Sequence, residues 1–141
     1  MRRSLLKPGV VLRAVDTNVL ARLLANDDPE QADIAQKAMT AEPVFVPKTV
    51  MLELEWVLRS SYRLSPPVIA TGFEGLLAAA NVSVEDSVAV ARAVGWFRRG
   101  MDFADALHLA SSSHVDSIVT FDRGMRRRVR ALGAKPQAVA P

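Results

Sequence analysis

Val10-Val11-Leu12-Arg13-Ala14-Val15-Asp16-Thr17-Asn18-Val19-Leu20 is the most informative stretch of the chain. Val10 to Val15 is a nearly continuous apolar run that follows a Pro8-Gly9 turn, which fits a short buried strand. Three polar residues interrupt it. Val19, Leu20, Leu23 and Leu24 then recur at helical spacing. The stretch therefore reads as strand, polar turn, helix, with a carboxylate at the junction.

The same alternation continues outward. Asp28-Pro29 is a helix start, with aspartate as N-cap and proline in the first helical position. Val44-Phe45-Val46, bracketed by Pro43 and Pro47, predicts a second strand. A helix is expected over 48–62, and another from the Ser65-Pro66-Pro67 cap to about Ala80. Val82-Ser83-Val84 predicts a third strand, and Asp86 is expected to cap a helix ending near Gly100. Asp102 opens a further helix, Asp116 to Phe121 reads as a fourth strand, and a basic helix ends at Gly133. Strands that alternate with helices predict an α/β fold, with a parallel sheet covered on both faces. Residues 1–9 read as an N-terminal arm, 10–141 as one domain, and the last few residues as a loose end.

Composition narrows the chemistry. The 141 residues (15.3 kDa) are 50% hydrophobic and 23% charged, enough apolar matter for a buried core. With no cysteine, disulfides, thiolate metal sites and cysteine nucleophiles are excluded. Two histidines, His108 and His114, cannot make a three-histidine zinc site. Any catalytic metal must be held mainly by oxygen, which points to magnesium or manganese. The N-terminal apolar stretch is too short for a signal peptide, and no run approaches a membrane span, so a cytoplasmic protein without membrane association is expected. The net charge of +3 is uneven. Residues 123–141 carry five arginines, Lys135 and no acid, so they hold +6 and the rest of the chain is net −3. A basic end on a mildly acidic body suits a polyanion partner, although a solvated helix would look the same.

The acids stand at the ends of apolar elements. Asp16 follows the first strand and Asp122 a late one. In an open parallel sheet the carboxyl ends of the strands share one edge, where ligands bind. Each aspartate alone is well explained as a helix N-cap; two at strand ends, with further acids at helix starts, favour a site. Asp102 and Asp105 are three apart at a helix start and share a face. Glu53 and Glu55 flank the apolar stripe of the 48–62 helix on opposite sides, and the helical repeat does not choose between them. His108, mid-way along an apolar helix, reads as packed rather than catalytic. Trp56 and Leu52 lie on the side of their helix away from the stripe, so a second surface should cover them, either within the chain or on a partner.

Four segments together resemble the PIN domain family: Asp16-Thr17-Asn18-Val19-Leu20, Leu52-Glu53-Leu54-Glu55-Trp56-Val57-Leu58-Arg59, Asp102-Phe103-Ala104-Asp105-Ala106-Leu107, and Val119-Thr120-Phe121-Asp122. Their order and spacing fit over roughly residues 10–140. The size and the tryptophan in the second segment are most similar to VapC-type toxins of bacterial toxin–antitoxin pairs; the arm before Val10 departs from that pattern. The resemblance implies an α/β/α sandwich with a central, mostly parallel sheet of four to five strands. It implies a Mg2+- or Mn2+-dependent ribonuclease, with catalytic Asp16, Glu53, Asp105 and Asp122. Asp16, Asp105 and Asp122 would be metal ligands, and Asn18, Thr120 and Asp102 would support them. The implied partners are RNA, met by Arg123, Arg126 and Arg127, a small VapB-like antitoxin met by Leu52 and Trp56, and a second copy of the chain.

Other classes fit less well. Haloacid-dehalogenase-type phosphatases need a second acid two residues after the first, where this chain has Asn18. Phospho-receiver domains need an acidic pair near the first strand, where Asp16 stands alone. A non-catalytic metal- or nucleic-acid-binding module, whose acids only cap helices or hold a structural cation, is the remaining alternative.

Overall fold

The computed structural model describes residues 9–141, so the expected arm lies almost wholly outside the described residues. The chain divides between Ser87 and Val88 into two compact units. All strand pairings in both are parallel, and the fold class is α/β.

The first unit runs β1 (Arg13–Ala14), α1 (Thr17–Ala25), α2 (Pro29–Ala41), β2 (Val44–Val46), α3 (Lys48–Ser60), α4 (Pro66–Ala78) and β3 (Val82–Val84). Its sheet has the order β1-β2-β3, with Ala14 opposite Phe45 and Phe45 opposite Ser83. β2 has a neighbour on either side, and its Val44 and Val46 are completely buried. Parallel pairing requires a crossover between successive strands, and here each crossover is a helix pair, α1–α2 and then α3–α4. Leu20 of α1, Met51, Leu54 and Leu58 of α3, and Ile69 and Phe73 of α4 form the core.

The second unit runs α5 (Ser87–Arg98), α6 (Phe103–Ala110), β4 (Ser117–Val119), α7 (Arg123–Leu132) and β5 (Gln137–Val139). β4 and β5 pair with Ile118 opposite Ala138. Val90, Val94 and Phe97 of α5 are buried, as are Phe103 and Leu109 of α6 and Met125 and Val129 of α7. Phe97 and Phe103 meet edge to face at 5.5 Å. Gly100, at φ +102°, makes the turn between α5 and α6 in a conformation that favours glycine.

Three local expectations change. β1 is two residues long, not six, because Val10 and Val11 precede the paired stretch and are 40% and 53% exposed. Asp86 does not cap α5: its φ is +50° and its carboxylate pairs with Lys48 Nζ at 3.1 Å. The C-terminal end is not loose, since β5 is paired along its length. Among the described residues no helix is long and apolar enough to cross a membrane.

Candidate active site

Three of the candidate acids are built into helix starts. Asp16 is the N-cap of α1 and accepts a hydrogen bond from the Val19 amide at 3.4 Å. Asp102 caps α6, accepting from the Asp105 amide at 3.1 Å, and Asp122 caps α7, accepting from the Met125 amide at 3.0 Å. In each case one carboxylate oxygen meets an orphan N–H of the first turn, which fixes the side chain where the strand or loop ends. The cap and the site are not exclusive readings, because a carboxylate has a second oxygen and several lone pairs to offer.

In the second unit Asp102 and Asp122 both act on Asp105. Partial burial holds the Asp105 carboxyl above the ordinary carboxylate range. The like charges of Asp102 and Asp122 push it in the same direction, and nearby His108 opposes them weakly. His108 itself is exposed on α6, not packed as its apolar neighbours suggested. Thr120 ties the end of β4 to α7. Its hydroxyl accepts from the Asp122 amide at 3.0 Å, and its carbonyl accepts from the Arg126 guanidinium at 2.6 Å. Gly124 leaves room beside the carboxylate, since a Cβ there would sit 3.2 Å from Asp122 Oδ1.

In the first unit Glu53 and Glu55 have separate fates. Glu55 is 3% exposed and forms an ion pair with Arg59 at 2.7 Å, one helical turn away, so its charge is engaged in the fold. Glu53 is exposed, and its carboxylate accepts a hydrogen bond from the buried Thr17 hydroxyl. Thr17 is the first residue of α1, so this bond ties Glu53 to the segment that carries Asp16. Thr17 and Gly124 were missed as site residues by sequence reasoning. Their signal was proximity: each lies within two positions of a candidate aspartate. Asn18 is exposed on α1.

The arginines of α7 also divide. Arg128 donates to the Gly100 carbonyl and Arg126 to that of Thr120. Arg123, Arg127 and Arg130 make no side-chain hydrogen bond or ion pair with another described residue. Leu52 is half-buried and Trp56 is 57% exposed, so the far side of α3 is left open where the tryptophan stands.

A family model described as PIN domain matches residues 13–131. The chain belongs to the PIN domain family. The matched segment contains every candidate acid, from Asp16 to Asp122, and all but the last residue of the basic helix. PIN domains are in general nucleases that hydrolyse nucleic acid, and they typically use divalent metals. No curated protein and no solved structure gives a significant match.

Proposed function

We propose that this PIN domain is a divalent-metal-dependent ribonuclease and the toxin of a type II toxin–antitoxin pair. The observation that carries the nuclease reading is the family match over residues 13–131, which takes in Asp102, Asp105 and Asp122 at the starts of α6 and α7. Asp102 and Asp122 keep carboxylate oxygens beyond those used in their caps, and a cation is a natural partner of such like charges.

The residues present fit a hard cation. The donors are all oxygen, and magnesium needs only one or two carboxylates because it keeps several waters. Among the described residues no three acids or histidines form a ready cation cage, so the protein's ligands would act directly or through water. Asp16, Asp105 and Asp122 would be the ligands, with Glu53 as ligand or water-orienting group. When bound, the ion supplies a polarised phosphoryl oxygen and a water of lowered pKa.

The chain's own groups do the rest. Helix caps hold Asp16, Asp102 and Asp122 against rotation. Thr17 orients the Glu53 carboxylate, and the Thr120 hydroxyl anchors the Asp122 backbone. Asn18, Thr120 and Asp102 support the ligands, and Arg123, Arg126 and Arg127 draw in the phosphodiester backbone. In-line attack by water leaves a 5′-phosphate and a 3′-hydroxyl.

The toxin role, the VapB-like antitoxin and a homodimer rest on the likeness to VapC-type toxins. The exposure of Trp56 supports a partner on the far side of α3. The purified chain should cut single-stranded RNA in Mg2+ or Mn2+ and stop on addition of EDTA. Absence of cleavage in both metals across a panel of RNAs would refute the nuclease reading. Growth arrest on expression, relieved by co-expression of a neighbouring small reading frame, tests the toxin role.

A further inference from the structure

A cleft of about 500 Å³ lies in the second unit between α7 and β5. Arg126, Arg130 and Lys135 line it, and no acid does. Its accessible apolar lining comes from the half-buried Ala138 and Val139 of β5, with Val129 and Ala134 packed beneath them. The volume is in the range of small-ligand sites. Arg126 and Arg130 are four apart on one helix and so lie on the same face. Arg126 is held in place by the Thr120 carbonyl, which takes only one of its five N–H donors. Arg130 and Lys135 make no side-chain hydrogen bond or ion pair with another described residue. Three cations around an apolar floor, with no internal counter-charge, call for an anion that also has a flat or apolar part.

The position of the cleft selects the anion. α7 begins at the Asp122 cap, so Arg126 lies about 6 Å and Arg130 about 12 Å further along the helix axis, at 1.5 Å per residue. At a stacked rise of about 3.4 Å per nucleotide, that distance is about two to four nucleotides. We infer that the α7–β5 cleft is a subsite for the RNA strand flanking the cut phosphate, with Arg126, Arg130 and Lys135 on phosphates and a base against Ala138 and Val139. This inference rests on the ribonuclease reading. An acidic peptide would match the charge, but the line from Asp122 into the cleft along one helix belongs to a strand that continues beyond the cut.

The test is binding without catalysis. A 5′-fluorescein-labelled 10-nucleotide single-stranded RNA is titrated with the full chain in EDTA, by anisotropy, from 50 to 200 mM salt. Each lost phosphate contact should shrink the log–log salt slope by about 0.7. The Arg130→Ala/Lys135→Ala double variant should therefore lose about 1.4 from the slope, or about seven-fold in salt sensitivity over this range. Both positions are exposed, and Arg130→Gln/Lys135→Gln serves as a second, gentler pair. Arg128→Ala, whose guanidinium is already used on Gly100, should leave the slope unchanged. A wild-type slope in both double variants would overturn the cleft alone, leaving the nuclease reading intact. So would an equal loss in Arg128→Ala, or a decaglutamate peptide that loses affinity in the double variants while RNA does not. If the wild-type chain cuts RNA in Mg2+ or Mn2+ but binds none in EDTA, the cleft alone falls; if it neither binds nor cuts RNA, the ribonuclease reading falls and the cleft falls with it.

Discussion

Asp122 carries two assignments that one substitution separates. As the N-cap of α7 it accepts from the Met125 amide at 3.0 Å; as a proposed ligand it offers anionic oxygen to a hard cation. Asparagine caps as well as aspartate does, whereas alanine costs about 1 kcal/mol. Asp122→Asn forfeits the charge–dipole term at the helix start, about 0.3–1 kcal/mol, and recovers part of it by relieving Asp105. The net change in stability should lie within about 1 kcal/mol, a Tm shift of about 2–4 °C for a chain near this size. Cleavage of RNA in Mg2+ should nonetheless fall at least about 100-fold, equivalent to about 2.7 kcal/mol of transition-state stabilisation. Asp122→Ala should lose the same activity and a further 2–4 °C or so. Single-turnover cleavage and thermal melts on the three proteins give both quantities. In parallel, carboxyl NMR should show Asp105 titrating lower in Asp122→Asn, though still raised, because burial is the larger cause. If Asp122→Asn cuts within about three-fold of wild type while Asp122→Ala loses activity in step with its Tm, Asp122 is a cap and the proposed ligand set is wrong.

Gly124→Ala should gain up to about 1 kcal/mol of helix propensity, offset by crowding of Asp122 Oδ1, so that Tm changes little; cleavage should drop because the carboxylate is displaced, and unchanged kinetics would show that Gly124 is not needed beside it. In EDTA, the raised Asp105 makes a signed contribution: the folded chain binds the extra proton, so stability from this group is greatest at acid pH and declines as pH rises through the raised pKa. Denaturant titrations across that window should show a shallower decline for Asp105→Asn, and identical slopes would contradict the assignment. Trp56→Ala should leave Tm nearly unchanged, given its exposure, and weaken antitoxin binding by about 2 kcal/mol or more; a large Tm loss with intact partner affinity would place the ring in the core.

Local chemistry was legible in the sequence alone. Asp16, Asp28, Asp102 and Asp122 could be read as caps because a cap depends only on a side-chain oxygen and the amide three residues on. Val44-Phe45-Val46 could be read as a strand, because an apolar run between two prolines marks a short buried one, while its central place came from the pairing with β1 and β3. The order of four acid-bearing segments was enough to point to the PIN family, since order along the chain survives folding. Long-range chemistry was not legible. Glu53 and Glu55 are equivalent on a helical wheel; only the Thr17 hydroxyl, 36 positions away, and the Arg59 ion pair distinguish them. The arginines of α7 looked alike until Gly100 and Thr120 each engaged one through a backbone carbonyl, an acceptor that every residue carries and no sequence pattern marks. β5 was hidden for the same reason. Gln137-Ala138-Val139 lacks the paired valines that marked the equally short β2 and β3, and what makes it a strand is the row of partner groups on β4.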